Sequence, residues 1–212
     1  MPKHFVSDKD ESVRLFKSNF MEFFSKVHFT VPLIIYLPVI GFFLYRAIIF
    51  QIGIWPIIGL VVAGIFIWTI TEYTLHRFVF HYHPTSEIGK RLHFIMHGVH
   101  HDYPSDSLRL VLPPSVSIPL SVGFYFLFYA ILGQVIVAPF YAGFVIGYLF
   151  YDIGHYAIHH FKMNNKFWAI IKEHHMRHHY VDPNKGYGVS SPVWDYVMGT
   201  MFKPSKKEKA VH

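Results

Sequence analysis

A chain of 212 residues fits one domain of ordinary size. Hydrophobic residues make up 52% and charged residues 15%, against roughly 45–50% and 25% in an average soluble protein. There is no cysteine, which excludes disulfides, thiolate metal sites and iron–sulfur clusters, so any metal must be held by nitrogen and oxygen ligands. The net charge of +6 comes from Lys and Arg that mostly flank apolar segments. No basic stripe with interleaved aromatics occurs, which argues against nucleic acid as a partner and for a rim facing anionic lipid headgroups.

Residues 1–28 are polar and contain no uninterrupted apolar core of a secretory leader. Val13, Phe16, Phe20, Phe23 and Val27 recur at steps of three and four, opposite Arg14, Lys17, Asn19, Glu22 and Lys26. That pattern predicts an amphipathic helix in the membrane interface, with a soluble helix packed on the protein's own core as the alternative.

Four apolar stretches follow, at about 29–45, 52–71, 116–134 and 136–154. Roughly 20 helical residues at about 1.5 Å each cross the ~30 Å hydrocarbon core. The second and third stretches carry no charge and the fourth only Asp152; boundaries can shift around Arg46 and between Gly133 and Pro139. The expected fold is therefore all-α and integral to the membrane. It has an interfacial segment at 1–28, four transmembrane helices with a helical histidine-rich cap at 29–202, and a basic tail at 203–212.

Four crossings place residues 1–28, 72–115 and 155–212 on one side, and these hold 18 of the 19 Lys and Arg, leaving only Arg46 opposite. The excess of positive charge predicts that this side is the cytoplasm. All 17 histidines lie in the same three segments. The chain also reads as two related halves, each a pair of apolar helices followed by a polar segment with a His-x-x-His-His motif.

The histidines form four motifs: His76-x4-His81, His97-x2-His100-His101, His155-x3-His159 and His175-x2-His178-His179. Spacings of three and four share one helical face, so each His-x-x-His-His is expected to converge on one centre. His76 and His81 are five apart and would diverge by roughly 140° on a regular α-helix. The helix must end or distort between them, or they serve different ions. Ten imidazoles exceed what one ion takes and predict two transition-metal ions with about five ligands each, since structural zinc needs only four. Imidazole suits iron, zinc, copper and nickel alike. Oxygen activation needs a metal that changes oxidation state, which favours iron, while zinc binds nitrogen sites more tightly and can occupy them in purified protein. Glu72, four residues before His76, and Asp152, three before His155, are candidates to accept an imidazole N–H and orient the ligand. His160, His174, His83 and His93 are weaker candidates around the site; His4, His28 and His212 read as exposed or interfacial.

EYTLHRFVFH at 72–81, HFIMHGVHHDYPSDSLRLVLPP at 93–114 and the run from HYAIHH through GYGVSS to WDYVMGT at 155–200 resemble the fatty acid hydroxylase and sterol desaturase superfamily. Within it they are most similar to the fatty acid 2-hydroxylases, over roughly residues 30–202. The resemblance implies a di-metal site at the cytosolic face, with the ten histidines as ligands, and O2-dependent hydroxylation of an acyl chain at the carbon next to its carboxyl or amide group. In the last motif the match falls on His175, while His174 stands where the family more often has tyrosine. The membrane expected is the endoplasmic reticulum in a eukaryote or the inner membrane in a bacterium. Family members often carry a fused cytochrome b5 domain with a His-Pro-Gly-Gly haem motif, and that motif does not occur here. Electrons are thus expected from a separate donor, such as cytochrome b5 or a ferredoxin with its reductase. The alternatives are a sister sterol or carotenoid hydroxylase or a lipid desaturase. From another class comes a metal transporter or sensor, which would place its ligands near the bilayer midplane rather than at the helix ends.

Overall fold

The computed structural model describes residues 5–203 of the chain. Its elements are helical: α1 (Asn19–Phe24), α2 (Thr30–Ile49), α3 (Ile54–Thr74), α4 (Glu87–His93), α5 (Val99–Asp102), α6 (Pro114–His160), α7 (Lys166–Tyr180) and α8 (Val193–Val197). π-Helical turns continue α3 over Leu75–Phe80 and join α4 to α5 over Phe94–Gly98. Among the described residues there is no strand.

Among the described residues three helices are long and apolar enough to cross a membrane: Thr30–Ile49, Ile54–Phe80 and Pro114–His160. The last has 47 residues and would be about 70 Å long if straight. It is not straight, because Gly133 sits at φ 73°, ψ 172°, a left-handed backbone that suits glycine. Ring contacts across the break join Phe128 to Phe140, Tyr125 to Tyr141 and Phe124 to Phe144 at 5.0–5.3 Å. The arms 114–132 and 134–160 therefore run antiparallel as a hairpin, with the break inside the window expected from Gly133 to Pro139.

Large apolar side chains such as Ile34, Phe42, Ile58, Phe66, Phe126 and Ile131 point outward, as the lipid-facing side of a bundle requires. Inside, Tyr36, Trp68, Phe128, Tyr141, Phe144 and Tyr148 pack into one aromatic core. α3 and the returning arm of α6 approach backbone to backbone, since a Cβ on Gly64 would strike the Phe140–Phe144 main chain and one on Gly143 that of Val61. This close crossing carries the histidine-bearing ends of both helices to the same end of the bundle.

The N-terminal segment departs from expectation. Only Asn19–Phe24 is helical, begun by Ser18, whose hydroxyl accepts from the Met21 N–H. Residues 5–18 form a strap along the cap. Val6 and Ser7 N–H groups bond the Asp102 carbonyl, Asp8 accepts from Ser105 and Tyr180, and Asp10 accepts from the Ser107 N–H. Within the predicted window, Glu22 accepts from the Leu15 and Phe16 N–H groups and Arg14 donates to the Phe16 and Lys17 carbonyls, which holds 13–18 out of the helix that the apolar period alone predicts.

Candidate metal centre

The cap gathers all ten motif histidines. They form two pentads, each with one nitrogen per residue and those nitrogens within 4.8 Å of one another: His76, His81, His97, His101 and His178, then His100, His155, His159, His175 and His179. The pentads abut, with the His101 and His179 rings 4.4 Å apart.

Each half of the chain supplies four members of one pentad and lends one to the other. The expectation that each His-x-x-His-His meets a single centre is therefore corrected. α7 lies between the pentads, so His175 and His179, one turn apart, face the second while His178 faces the first. His100 crosses in the opposite sense. The π turn resolves the five-residue spacing of His76 and His81. The His81 N–H bonds the His76 carbonyl five residues back, and this wider turn puts both rings on one face, 5.0 Å apart.

The Nε2 atoms within the pentads stand 2.9–3.2 Å apart. His97 Nε2 has three such neighbours, in His76, His81 and His101, and His175 Nε2 has three, in His155, His159 and His179. A neutral imidazole carries one proton, which cannot satisfy three facing nitrogens. A cation between them can. With metal–nitrogen bonds of about 2.1 Å, neighbouring ligands lie about 3.0 Å apart at right angles and about 3.4 Å apart in a tetrahedron. The spacing of these facing pairs is that of neighbouring nitrogens on a shared cation. The buried His100 Nε2 has no hydrogen-bond partner in the protein.

Burial first, and the neighbouring imidazoles second, hold His97, His100, His101, His175, His178 and His179 well below the usual histidine range and bring His81 to about 2. All are neutral at physiological pH, the state a cation needs. No carboxylate joins either pentad, so two bound ions would keep their full charge.

Glu72 and Asp152 do not contact an imidazole, which corrects the direct role expected for them. Glu72 accepts from the Val189 and Ser190 N–H groups and the Ser190 hydroxyl. Asp152 accepts from the Leu112 N–H and the Tyr148 hydroxyl. Both tie distant segments to the helices that carry histidines. The rings are instead oriented by main-chain carbonyls, with His76 Nδ1–H donating to Tyr187 and His178 Nδ1–H donating to Lys185. Asp195 fixes that loop, accepting from the N–H groups of Tyr187 and Gly188, from Thr200, and from His174 Nε2 at 2.9 Å. Burial alone would raise its pKa, but these donors hold it below the usual carboxylate range. His174 is thus a partner of Asp195, outside both pentads. The carbonyls have no sequence signature; Asp195 does, within the WDYVMGT stretch.

Of the other histidines, His160 stacks on Tyr156, His83 lies against His93, and His28 contacts Thr30 at the surface. His4 and His212 lie outside the described residues.

A cleft reaches the centre and a small cavity adjoins it. The cleft, of ≈ 340 Å³, is lined by Phe20 and Phe24 of α1, by Ile95, and by His97, His100 and His155. The apolar cavity, of ≈ 50 Å³, lies among Trp68, Leu120, Phe124, Phe144 and Val145 inside the bundle. They share Phe80, Leu112 and Tyr151. Phe80 stacks on His97 of the first pentad and Tyr151 on His155 of the second.

A family profile described as fatty acid hydroxylase matches residues 61–200. The dihydroceramide fatty acyl 2-hydroxylase FAH1 of Arabidopsis thaliana is 38% identical over 202 residues, 94% of this chain and 85% of that one. The fatty acid 2-hydroxylase of Rattus norvegicus is 36% identical over 212 residues, covering 89% of this chain and 56% of that one. Among solved structures, full-length scs7p with only its hydroxylase domain visible superposes with a TM-score of 0.83 at 37% identity, over 88% of this chain and 71% of that one.

Proposed function

The chain belongs to the fatty acid hydroxylase family, and from that premise we propose that it is a membrane-bound fatty acid 2-hydroxylase acting on an acyl chain, free or in a ceramide-type amide. The observation that carries this reading is the pair of imidazole pentads at the junction of an apolar cavity and a cleft that opens beside α1. Their ten histidines are the proposed ligands of two transition-metal ions, iron for catalysis, with zinc able to occupy the same nitrogens. The ions supply the redox chemistry that activates O2, and the reaction consumes external electrons and protons, releasing water.

The protein's part is placement. The carboxyl-end part of the acyl chain lies in the cleft, whose wall carries His97, His100 and His155, so carbon 2 stands beside both pentads, and Phe80 and Tyr151 continue that wall toward the apolar cavity. Apolar walls exclude water there and hold the carbon in one attitude. Electrons arrive from outside these 212 residues, from cytochrome b5 or a ferredoxin with its reductase. The hairpin at Gly133 supports a reading of four crossings from the three long helices, and the 18-of-19 bias of basic residues supports a cytoplasmic cap. The exposed Phe20 and Phe23 of α1 support an interfacial anchor at the N-terminal segment.

Lipid mass spectrometry of cells with and without the protein tests the activity. A 2-hydroxyacyl product dependent on the intact protein is expected. An alkene, or hydroxyl elsewhere on the chain, would assign it to a sister activity.

A further inference from the structure

Away from the pentads, the cap turns one apolar face outward. On α8, Val193, Tyr196 and Val197 are 56%, 81% and 60% exposed, and spacings of three and four set them on one side of the helix. From Gly186 to Phe202 the only charged residue is Asp195, which is fully buried, and Lys185 and Lys203 stand at the two ends. An uncharged stretch with Trp and Tyr, bounded by lysines, is the pattern of chain that lies at headgroup level.

The contacts of α8 say what covers it. Trp194 donates from Nε1 to Thr69 Oγ1 and sets its ring against Phe66, whose own side chain is exposed on the outer flank of α3. Thr69 and Phe66 precede His76 by seven and ten residues, so along α3 they lie about 10 and 15 Å to the apolar side of that imidazole. α8 therefore hangs beside a helix long and apolar enough to span, below the level of the pentads, and its bare side continues that flank. A bilayer that covers Phe66 reaches α8 as well. On its inner side the same helix carries Asp195, which accepts from the Tyr187 and Gly188 N–H groups, and Tyr187 supplies the carbonyl behind His76.

We propose that α8 is seated in the headgroup–acyl boundary of the bilayer, with Val193, Tyr196 and Val197 in lipid, and that this seating holds the 185–188 loop in place through Asp195. The proposal goes beyond the 2-hydroxylase reading and does not depend on it.

The chain has no cysteine, so a single introduced one carries a unique label. Full-length Tyr196→Cys and Val197→Cys proteins are spin-labelled in vesicles of phosphatidylcholine and phosphatidylserine. Their labels should be open to O2, which concentrates in lipid, and shielded from a water-soluble nickel chelate, as a label on Phe66→Cys is. A label on Asn184→Cys, at an exposed position of the cap, should show the reverse. In the same vesicles Val193→Glu/Val197→Glu should speed amide hydrogen exchange at Tyr187 and Gly188 at least about fivefold, because charge is costly in lipid and nearly neutral on a surface facing water. Labels at 196 and 197 as open to the chelate as the one at 184 would overturn the seating. So would a disulfide between two copies as the main product of oxidising Tyr196→Cys, which would give the face to a second chain. Exchange unchanged by the two glutamates would overturn the hold on the loop, and the labelled proteins keep the seating falsifiable if the glutamate variant does not fold.

Discussion

The two pentads are alike in composition and unlike in support. In the first, His76 and His178 are held from behind by carbonyls of the 185–187 loop, and Glu72 and Asp195 clamp that loop. In the second, the Nδ1 atoms of His155, His175 and His179 are buried with no protein partner. A ligand whose far nitrogen is hydrogen-bonded has a fixed tautomer and a fixed ring plane. The first pentad is thus prepared in advance for its ion, and the second is free to adjust. The cleft touches the second through His100 and His155 and the first through His97. On the proposed reading, rigidity on one side and adaptability on the other would suit a centre that holds metals and still admits a reactant.

The largest effect should come from the crossing histidines. His178→Ala should empty the first site and His100→Ala the second, each cutting 2-hydroxy lipid formation at least about 100-fold, because coupled metals fail as a unit. Elemental analysis should show about two ions in the parent and about one in each variant. Activity retained in the His178→Ala protein would break the pairing.

Next in size is the support behind the first site. Asp195→Asn should lower metal affinity there by about 10–100-fold. Titration with a competing chelator measures it, and equal weakening of both sites would erase the contrast drawn above. In the parent, the second site should empty several-fold faster during dialysis against chelator.

Acid gives a smaller, graded effect. The cap histidines have folded pKa values far below 6.5, so the unfolded chain binds more protons than the folded one between pH 6.5 and about 2. Stability of the metal-free protein is therefore greatest above pH 6.5 and falls as pH drops through that window. Thermal unfolding in detergent at pH 7.5 and 5.5 should show the lower midpoint in acid, and equal midpoints would count against neutral imidazoles. Smallest of all, exposed His28→Ala should change stability by no more than about 0.5 kcal/mol and leave metal content intact.

Much of this was legible in the residues. Apolar length marked the long helices, the Gly133–Pro139 window bracketed the fold-back, and spacing marked the ten histidines that the cap gathers. The crossover was not legible. A period of 3.6 shows which residues share a face, but not that α7 would lie between two pentads and serve both. The π turn at Leu75–Phe80 showed only as a contradiction, five residues where three or four were needed. Roles for Glu72 and Asp152 were placed one contact too close, because sequence distance shows proximity to a histidine but not which loop arrives from elsewhere to be bonded. The strap was hidden by an apolar period from Val13 that the Arg14 and Glu22 side chains override by bonding the backbone at 15–17.

The crossing of His100 and His178 also bears on how the protein is made. During synthesis the first half displays four imidazoles of its pentad well before the fifth is translated, and it holds His100 for a site that does not yet exist. Neither half can close a five-nitrogen shell alone. On the proposed di-metal reading, full metal uptake would report the docking of α7 between the two halves, and chains that insert their helices but never complete that docking should be distinguishable by metal deficiency alone.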